Sequence, residues 1–371
     1  MCINQKEEDT FSNLLLKSTI DDNINEEIWN QSFSFINNSF SENEIIDKNN
    51  QNLINENDSS QKSNYIISKN NTLTLQNFDI KNFNQTYEFS LNEINLLISN
   101  LKGHFFHLMM GKNSNYFISN LIINAAKKQK LYILSEIYNQ IDILAINDYG
   151  SHPLQTLIEK ASSKDEIIMI INGITAKNKL IEISKNQNGT YVIQKIISYF
   201  NENFRTKINK IILNNLFELC VDMYGVCIIQ KFINNCYNME YIYFLLISFI
   251  NNMEYISKNQ FGNYAIQILI DKIYSYENIF FVLEKHIFVN FIGLSIDRYG
   301  SRVIEKYIDK IKKTQKRKIL SYLLDKGYIF HILVNKYGKY VISKLLHGFN
   351  SENRKNILNT LSSIKKSEKY I

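Results

Sequence analysis

The pattern of apolar and polar residues divides the chain into two regions. Residues 1–72 are rich in Asn, Asp, Glu and Ser, and their apolar residues form short clusters with no sustained period. Such a segment buries too little apolar surface to offset the entropy lost on ordering, so we predict a low-complexity, largely disordered tail over 1–72. From about residue 90, apolar residues recur at helical spacing, as in KDEIIMIINGI and RTKINKIILNNLF. This spacing predicts amphipathic helices.

A short string recurs seven times within residues 73–371. The strings are KNSNYFISNLI, DYGSHPLQTLI, QNGTYVIQKII, MYGVCIIQKFI, QFGNYAIQILI, RYGSRVIEKYI and KYGKYVISKLL, beginning at residues 112, 148, 187, 223, 260, 298 and 336. We call these units one to seven. The third residue of the string is Ser114 in unit one and glycine in the other six, at intervals of 36 to 39 residues. Units of this length stack on one another to bury their apolar faces, which predicts an all-α solenoid over 73–371.

Two local signals suggest how each unit folds. The recurring glycine is predicted to end one helix in the left-handed conformation. The Ser, Thr or Asn that follows it in several units is predicted to cap the next helix. The single proline, Pro153, falls in the first turn of such a helix, where no backbone donor is lost.

Composition and charge narrow the function. One proline and twelve glycines in 371 residues argue against an all-β fold, and four cysteines without metal or disulfide spacing indicate a reducing, intracellular setting. Residues 1–80 hold five Lys and thirteen Asp or Glu, a net charge of −8, which leaves 37 basic and 23 acidic residues, a net of +14, on 81–371. A basic body suggests a polyanionic partner. The six histidines have no metal or catalytic-triad spacing, so no enzyme, cofactor or metal is expected.

The helix that follows the glycine carries a recurring chemical set. We number positions from the residue after the glycine position; the first, second and fifth share one helix face, and the fourth, seventh and eighth are apolar. The first positions are Asn115, Ser151, Thr190, Val226, Asn263, Ser301 and Lys339. The second positions are Tyr116, His152, Tyr191, Cys227, Tyr264, Arg302 and Tyr340. The fifth positions are Ser119, Gln155, Gln194, Gln230, Gln267, Glu305 and Ser343. The sixth position is lysine in four units, at Lys195, Lys231, Lys306 and Lys344.

This set matches the chemistry of single-stranded RNA. Six of the seven second positions are planar groups that can stack on a base, while the fifth-position amides and carboxylate can hydrogen-bond a base edge. The sixth-position lysines are placed to meet phosphates. The alternative is a helical solenoid whose polar face binds protein, but the recurrence of Tyr beside Gln at a fixed phase favours RNA.

The strings YGSRVIEK and QFGNYAIQ closely resemble repeats of the Pumilio (PUF) family, and the resemblance covers roughly residues 75–371. It implies a right-handed α-solenoid, a crescent of about seven to eight repeats, in which this helix lines the concave surface. The units from residue 151 onward look like the third to eighth repeats, and the unit at 115 like the second or a merged first. A first repeat is then either degenerate within 73–95 or missing.

The resemblance also implies a base code, read with the RNA antiparallel to the repeats. In the family, Asn with Gln pairs with uracil, Ser or Cys with Gln pairs with adenine, and Ser with Glu pairs with guanine. Carried over, unit six (Ser301, Arg302, Glu305) reads G, unit five (Asn263, Tyr264, Gln267) the following U, and unit two (Ser151, His152, Gln155) a downstream A. Units one, three, four and seven lack a standard pair. We therefore expect a preference for (U)GUNNA.

The resemblance further implies a biological role. It is that of a cytoplasmic, monomeric regulator that binds 3′ untranslated regions of mRNA and represses translation or promotes decay through protein co-repressors or decay factors. One alternative is a divergent PUF-like factor in ribosome biogenesis that binds RNA with little base code. The other is a protein-binding solenoid of the HEAT or armadillo kind.

Overall fold

The computed structural model describes residues 89–347 and 349, so the predicted tail over 1–72 lies outside the described residues. Between residues 89 and 347 the chain is α-helical with no strand, which confirms the predicted all-α class. Helix α1 (Leu91–Asn100) precedes seven units. Each unit has a short helix, a middle helix that carries the recurring string, and a third helix; in unit seven only the first two are described.

The bounds of the helices follow the repeat. Units one and two contain α2 (Phe105–Met109), α3 (Ser114–Asn124), α4 (Lys127–Ile137), α5 (Ile141–Ile146), α6 (Ser151–Lys160) and α7 (Lys164–Thr175). Units three and four contain α8 (Leu180–Ser184), α9 (Gly189–Tyr199), α10 (Thr206–Asn214), α11 (Leu216–Cys220), α12 (Gly225–Asn234) and α13 (Met239–Ile250). Units five to seven contain α14 (Met253–Lys258), α15 (Gly262–Ile273), α16 (Glu277–Val289), α17 (Phe291–Ser295), α18 (Gly300–Lys310), α19 (Lys313–Asp325), α20 (Tyr328–Val334) and α21 (Gly338–Leu346).

The middle helices pack side by side in chain order, from α3 through α6, α9, α12, α15 and α18 to α21. Their fourth, seventh and eighth positions lie in one continuous apolar core, as the sequence predicts; in unit five these are the fully buried Ile266, Leu269 and Ile270. Each such side chain contributes about 1.5–3 kcal/mol on burial. Because every unit buries its face on the next, the chain forms a right-handed solenoid that presents one surface of each middle helix in register.

The recurring glycine is needed for a different physical reason from the one predicted. Within the described residues, only Gly103 and Gly327 have positive φ among the glycines, so the prediction of a left-handed residue at the repeat position is wrong. The reason for glycine is close backbone packing. A Cβ on Gly189 would lie 2.2 Å from the carbonyl oxygen of Ile183, and one on Gly338 would lie 2.1 Å from that of Ile332.

The cap of each middle helix also differs from the prediction. The Ser, Thr or Asn after the glycine lies inside the helix rather than at its cap. Instead, an Asn or Asp three residues before the glycine accepts hydrogen bonds from backbone N–H groups at the start of the helix. In unit two, Oδ1 of Asn147 accepts from the backbone N of Tyr149 at 3.0 Å and of Gly150 at 2.8 Å. The same turn recurs at Asn186, Asp222, Asn259, Asp297 and Asn335. Pro153 is the third residue of α6, within the first turn as predicted.

Helix α1 occupies the place of a third helix from a preceding unit. Oδ1 of its Asn95 accepts from Nε2 of Gln129 in α4 at 2.6 Å, and α4 is joined in turn to α7 by the ion pair Lys127–Asp165 at 2.9 Å. Ser90 and Glu93 form a capping box at its N-terminus, and Ile94 and Leu97 are buried. The first repeat expected within 73–95 falls mostly outside the described residues, so it stays a prediction.

A buried ion pair joins the third helices of units one and two. Nζ of Lys130 lies 3.2 Å from Oε1 of Glu166, and both side chains are buried. Oε2 of Glu166 accepts from the backbone N of Ser162 at 2.9 Å and of Ser163 at 2.8 Å at the start of α7. Burial acts to raise the pKa of Glu166, but these bonds and Lys130 outweigh it and hold the pKa below its usual value.

Candidate nucleic-acid interface

The second-position side chains form an exposed row along the packed middle helices. Tyr116, Tyr191, Tyr264 and Tyr340 are each between 44 and 58% exposed, although tyrosine rings are usually at least half buried. His152 and Arg302 are also exposed, and only Cys227 is half-buried. The structure therefore brings five rings and one guanidinium to one surface, in an arrangement that can offer stacking planes to successive bases.

The fifth-position side chains lie beside this row and are half-buried in units one to six, while Ser343 is exposed. Two of them are held by the first position of their own unit: Nε2 of Gln267 donates to Oδ1 of Asn263 at 2.9 Å, and Nε2 of Gln194 donates to Oγ1 of Thr190 at 3.1 Å. In unit one, Ser119 donates to the backbone carbonyl of Asn115 at 2.8 Å. The hydrogen bonds hold the two glutamines at the surface in one orientation, which lowers the entropy lost when a base binds.

The first-position side chains do not face outward as expected. Asn115, Ser151, Thr190, Val226, Asn263 and Ser301 are between 0 and 4% exposed, and only Lys339 is exposed. The polar atoms of these side chains form hydrogen bonds with backbone groups. Oγ1 of Thr190, for example, donates to the carbonyl of Tyr224 in the next unit at 3.1 Å. Nδ2 of Asn263 donates to the carbonyls of Asn259 and Gln260 at 2.9 and 3.0 Å. The expected exposure is wrong because the neighbouring unit covers this edge of the helix; a role in base recognition stays a prediction.

Glu305 is the one carboxylate among the fifth positions. It is half-buried in α18, near Arg302 of its own helix and Lys344 of unit seven. Burial raises the pKa of Glu305 above its usual value, Lys344 and Arg302 act to lower it, and Asp309 acts to raise it. An ionised Glu305 is consequently an acceptor with two positive charges nearby.

The sixth-position lysines have partners that the sequence analysis missed. Lys306 lies 2.5 Å from Asp271, Lys344 lies 2.8 Å from Asp309, and Lys195 pairs with Glu159. Each acid stands at the ninth position of the preceding unit, so the pairs link neighbouring middle helices. Among the described residues, only Lys231 of the four has no carboxylate within 4 Å, because the corresponding ninth position is Ser198. In the sequence, these ion pairs can be recognised by an acidic residue at the ninth position of one unit and a lysine at the sixth position of the next.

Two units depart furthest from the pattern. In unit four, Val226 is 4% exposed and Cys227 is half-buried, so neither a ring nor a first-position polar group is offered there. Burial, with the nearby Asp222, raises the pKa of the Cys227 thiol. In unit seven, the ammonium of Lys339 lies 5.1 Å from the ring centre of Tyr340. That unit presents an exposed cation beside a ring, whereas the first-position side chains of the other units are buried.

Six segments of the chain match the family model for the Pumilio-family RNA binding repeat, at residues 104–138, 140–175, 179–208, 215–246, 252–279 and 290–324. Together they make up more than half of the chain. The chain belongs to the Pumilio family. The six matched Pumilio repeats coincide with units one to six, and unit seven continues the same short and middle helix beyond the last match.

Curated relatives of this Pumilio array come from plants and fungi. The chain is 24% identical over 258 residues to Pumilio homolog 12 of Arabidopsis thaliana, covering 69% of this chain and 42% of that protein. It is 27% identical over 222 residues to Suppressor protein MPT5 of Saccharomyces cerevisiae, covering 58% of this chain and 26% of that protein. The chain thus matches less than half the length of these relatives.

Solved Pumilio-family structures share the fold. The Puf4 RNA-binding domain bound to the HO endonuclease RNA 3′ UTR recognition sequence superposes with a TM-score of 0.66 at 21% identity, over 74% of this chain and 85% of that one. PUF-8 in complex with PBE-RNA gives a TM-score of 0.65 at 20% identity, over 75% and 81%. The agreement over three quarters of the chain confirms the predicted solenoid.

Residues 89–347 show no sign of the other common classes of site. No three His, Cys, Asp or Glu side chains converge there in a way that would hold a metal ion. No helix in this range is long and apolar enough to cross a membrane. Pumilio proteins are RNA-binding and generally not enzymes, and no feature of the described residues points to catalysis.

Proposed function

We propose that this Pumilio array selects single-stranded RNA elements of the type (U)GUNNA in 3′ untranslated regions of mRNA, and so represses translation or promotes decay. The observation that supports it best is an exposed second-position ring or guanidinium beside a half-buried Gln or Glu side chain, an arrangement that recurs in units two, three, five and six. Rings accept any base by stacking, and the edge groups add selectivity.

The chemistry of units five and six accounts for the G-U step. Glu305, when ionised, accepts from the amino and imino donors of guanine, with the cations Arg302 and Lys344 nearby. Gln267, positioned by Asn263, offers an amide to the edge of uracil. Units three and four have Thr190 and Val226 at their first positions and would bind the two unselected bases, NN. Unit two would select the downstream A.

Repression would act through bound protein co-repressors or decay factors in the cytoplasm, with the chain as a monomer, since the site itself holds and orients RNA without chemistry. The RNA ligands named for the solved relatives are ligands of those proteins. They support the proposed RNA target of this chain only by resemblance. Retention of Gln or Glu at five of seven fifth positions favours base reading over the alternatives of a ribosome-assembly factor or a protein-binding solenoid.

An unbiased selection of RNA sequences bound by the full chain tests the proposal. We expect enrichment of (U)GUNNA by the wild type and loss of the G-U step when Ser301, Glu305, Asn263 and Gln267 are all replaced by Ala. Tyr255→Ala, an exposed ring on the short helix α14, is the matched control and should keep the motif. Equal affinity for GU-containing and scrambled RNA would overturn the base code. Fluorescence imaging of the tagged chain tests the cytoplasmic location, which nucleolar accumulation would contradict.

A further inference from the structure

A second set of exposed rings lies at the C-terminal ends of the middle helices, away from the second-position row. Tyr199 ends α9, Tyr237 follows α12, and Tyr274 follows α15; they are 54, 77 and 48% exposed. These are the ends of three consecutive middle helices, in units three, four and five. Burial of so little ring surface stabilises the fold weakly, so the recurrence of tyrosine there requires another explanation.

A lysine ammonium lies over each of these three rings. The ammonium of Lys272 lies 4.8 Å from the ring centre of Tyr237, that of Lys310 lies 4.3 Å from Tyr274, and that of Lys195 lies 5.4 Å from Tyr199. In the first two cases the tyrosine is at the twelfth position of one unit and the lysine at the tenth position of the next. Rings and cations therefore alternate along the edge. We call Tyr199, Tyr237, Lys272, Tyr274 and Lys310 the rim stripe.

The two lysines of the rim stripe differ in what they already bind. Lys310 pairs with Asp271 at 2.8 Å. Lys272 donates to the backbone carbonyl of Asn234 at 3.3 Å and has no carboxylate within 4 Å among the described residues, so it is the cation of the stripe that remains available to a ligand. The acid nearest Tyr237 is Glu202, and it is used locally: it accepts from the backbone N of Tyr237 and of Asn238, and from the thiol of Cys236. These bonds hold the loop that carries Tyr237 in place.

We propose that the rim stripe is a second contact track for single-stranded RNA, which stacks bases on the three tyrosines and meets phosphates with Lys272, without base selectivity. Alternating rings and cations are the features that bind single strands regardless of sequence. The three tyrosines lie at or just after the C-terminal ends of the helices that carry the proposed reading face. The track is present at units three and four, where the base code is weakest and Cys227 replaces a ring.

RNA affinity with a short and a long ligand tests this proposal. The short RNA has about nine nucleotides and holds the (U)GUNNA element, and the long one embeds that element in about 25 nucleotides of uridine-rich single strand. We expect the wild type to bind the long RNA roughly tenfold more tightly than the short one, from stacking on the rings of the rim stripe. Tyr237→Ala/Tyr274→Ala should remove most of that gain, since only Tyr199 of the three rings remains, and should leave the short RNA unaffected.

Phe217→Ala/Tyr255→Ala is the matched control, since it removes two exposed rings that stack on each other on short helices α11 and α14. It should keep the gain. If the rim variant keeps it too, and its melting temperature falls instead, the stripe is only a clasp between units and the proposal is wrong. Loss of selectivity on the short RNA by the wild type would refute the proposed function and leave the rim stripe to be judged by the long RNA alone.

Ultraviolet crosslinking with mass spectrometry separates the two sources of RNA. With the short element on the reading face, unlinked oligouridine that crosslinks to Tyr237 or Tyr274 would mean a second strand. Crosslinks to these residues only from the long RNA would mean flanking nucleotides of the same molecule. Either result supports the track, and crosslinks confined to the second-position tyrosines in both experiments would refute it.

Discussion

Gln267 donates its side-chain amide to Oδ1 of Asn263, 2.9 Å away, and Asn263 is itself fully buried. Asn263 in turn donates to the carbonyls of Asn259 and Gln260, the residues that lead into α15. The reading group at the surface is thus tied to the turn that starts its own helix. The proposed base-reading group and the start of its helix therefore share one hydrogen-bonded chain in this unit.

Asn263→Ala and Gln267→Ala should separate these two roles. Asn263→Ala leaves the carbonyls of Asn259 and Gln260 without this donor inside the fold, at a cost of about 1–3 kcal/mol, and also frees Gln267 to change rotamer. Gln267→Ala removes a half-buried group and should cost little stability while weakening RNA binding. Urea unfolding and RNA titration measure the two effects, and equal stability of the two variants would show that Asn263 has no structural role.

A prediction on pH concerns Glu305. Its pKa is raised in the free protein, chiefly by burial, yet guanine needs the ionised form, so affinity for G should fall as pH decreases through that raised pKa. The sign for folding is opposite: a carboxyl with a raised pKa contributes stability that is present at low pH and lost as pH rises through it. Glu305→Gln should therefore raise the melting temperature at neutral pH, lose preference for G and remove this pH dependence. Competition between G- and A-containing RNAs across pH measures the selectivity; an unchanged pH profile in the variant would contradict the assignment.

The repeat glycine gives a prediction with an internal control. In Gly189→Ala the new Cβ would lie 2.2 Å from the carbonyl oxygen of Ile183, which the backbone cannot relieve without shifting, and we expect a loss of about 1–3 kcal/mol. Gly293→Ala in α17 is the control, because its nearest neighbour would be Nζ of Lys258 at 3.8 Å. That change should be neutral or stabilise by up to about 1 kcal/mol through helix propensity. Thermal unfolding decides, and equal losses at both sites would refute the packing explanation.

The sequence predicts the seven units, their helices and the core because each depends on local period, as at Ile266, Leu269 and Ile270. It misses what depends on how the helices pack, both within a unit and between units. The glycine at 189 is needed for contact with Ile183 in the short helix of its own unit, and Asn115 and Thr190 are buried although a helical wheel places them on the polar side. Within a single unit the period cannot say which edge of a polar face the next unit covers.

The buried pair between α4 and α7 should respond very differently from its exposed neighbour. Glu166→Gln leaves the ammonium of Lys130, whose side chain is only 8% exposed, without its counter-ion, and such a loss costs about 3–5 kcal/mol. Asp165→Asn breaks the pair with Lys127, in which both side chains are more than half exposed, and should cost about 0–1 kcal/mol. Because the pKa of Glu166 is lowered, its stabilisation is present above the usual carboxyl pKa and is lost as pH falls through the lowered value. A small loss at Glu166 in urea unfolding would mean that the pair is readily solvated.

The sixth-position lysines should differ in how they affect the salt dependence of RNA binding. Lys231 has no carboxylate within 4 Å among the described residues, so a phosphate is its available counter-ion, whereas Lys306 lies 2.5 Å from Asp271. If Lys231 meets a phosphate, Lys231→Ala should weaken binding to all sequences alike and reduce the slope of log K against log salt by about one. Lys306→Ala should change the slope little, because Asp271 keeps Lys310 as a partner at 2.8 Å.

Serine at 198 sets this difference, so Ser198→Glu in the otherwise unchanged chain should supply Lys231 with a carboxylate and reproduce the effect of Lys231→Ala. Titrations at several salt concentrations measure the three slopes. Equal slopes for Lys231→Ala and Lys306→Ala would mean that the inter-unit ion pairs open when RNA binds and that all four lysines act alike.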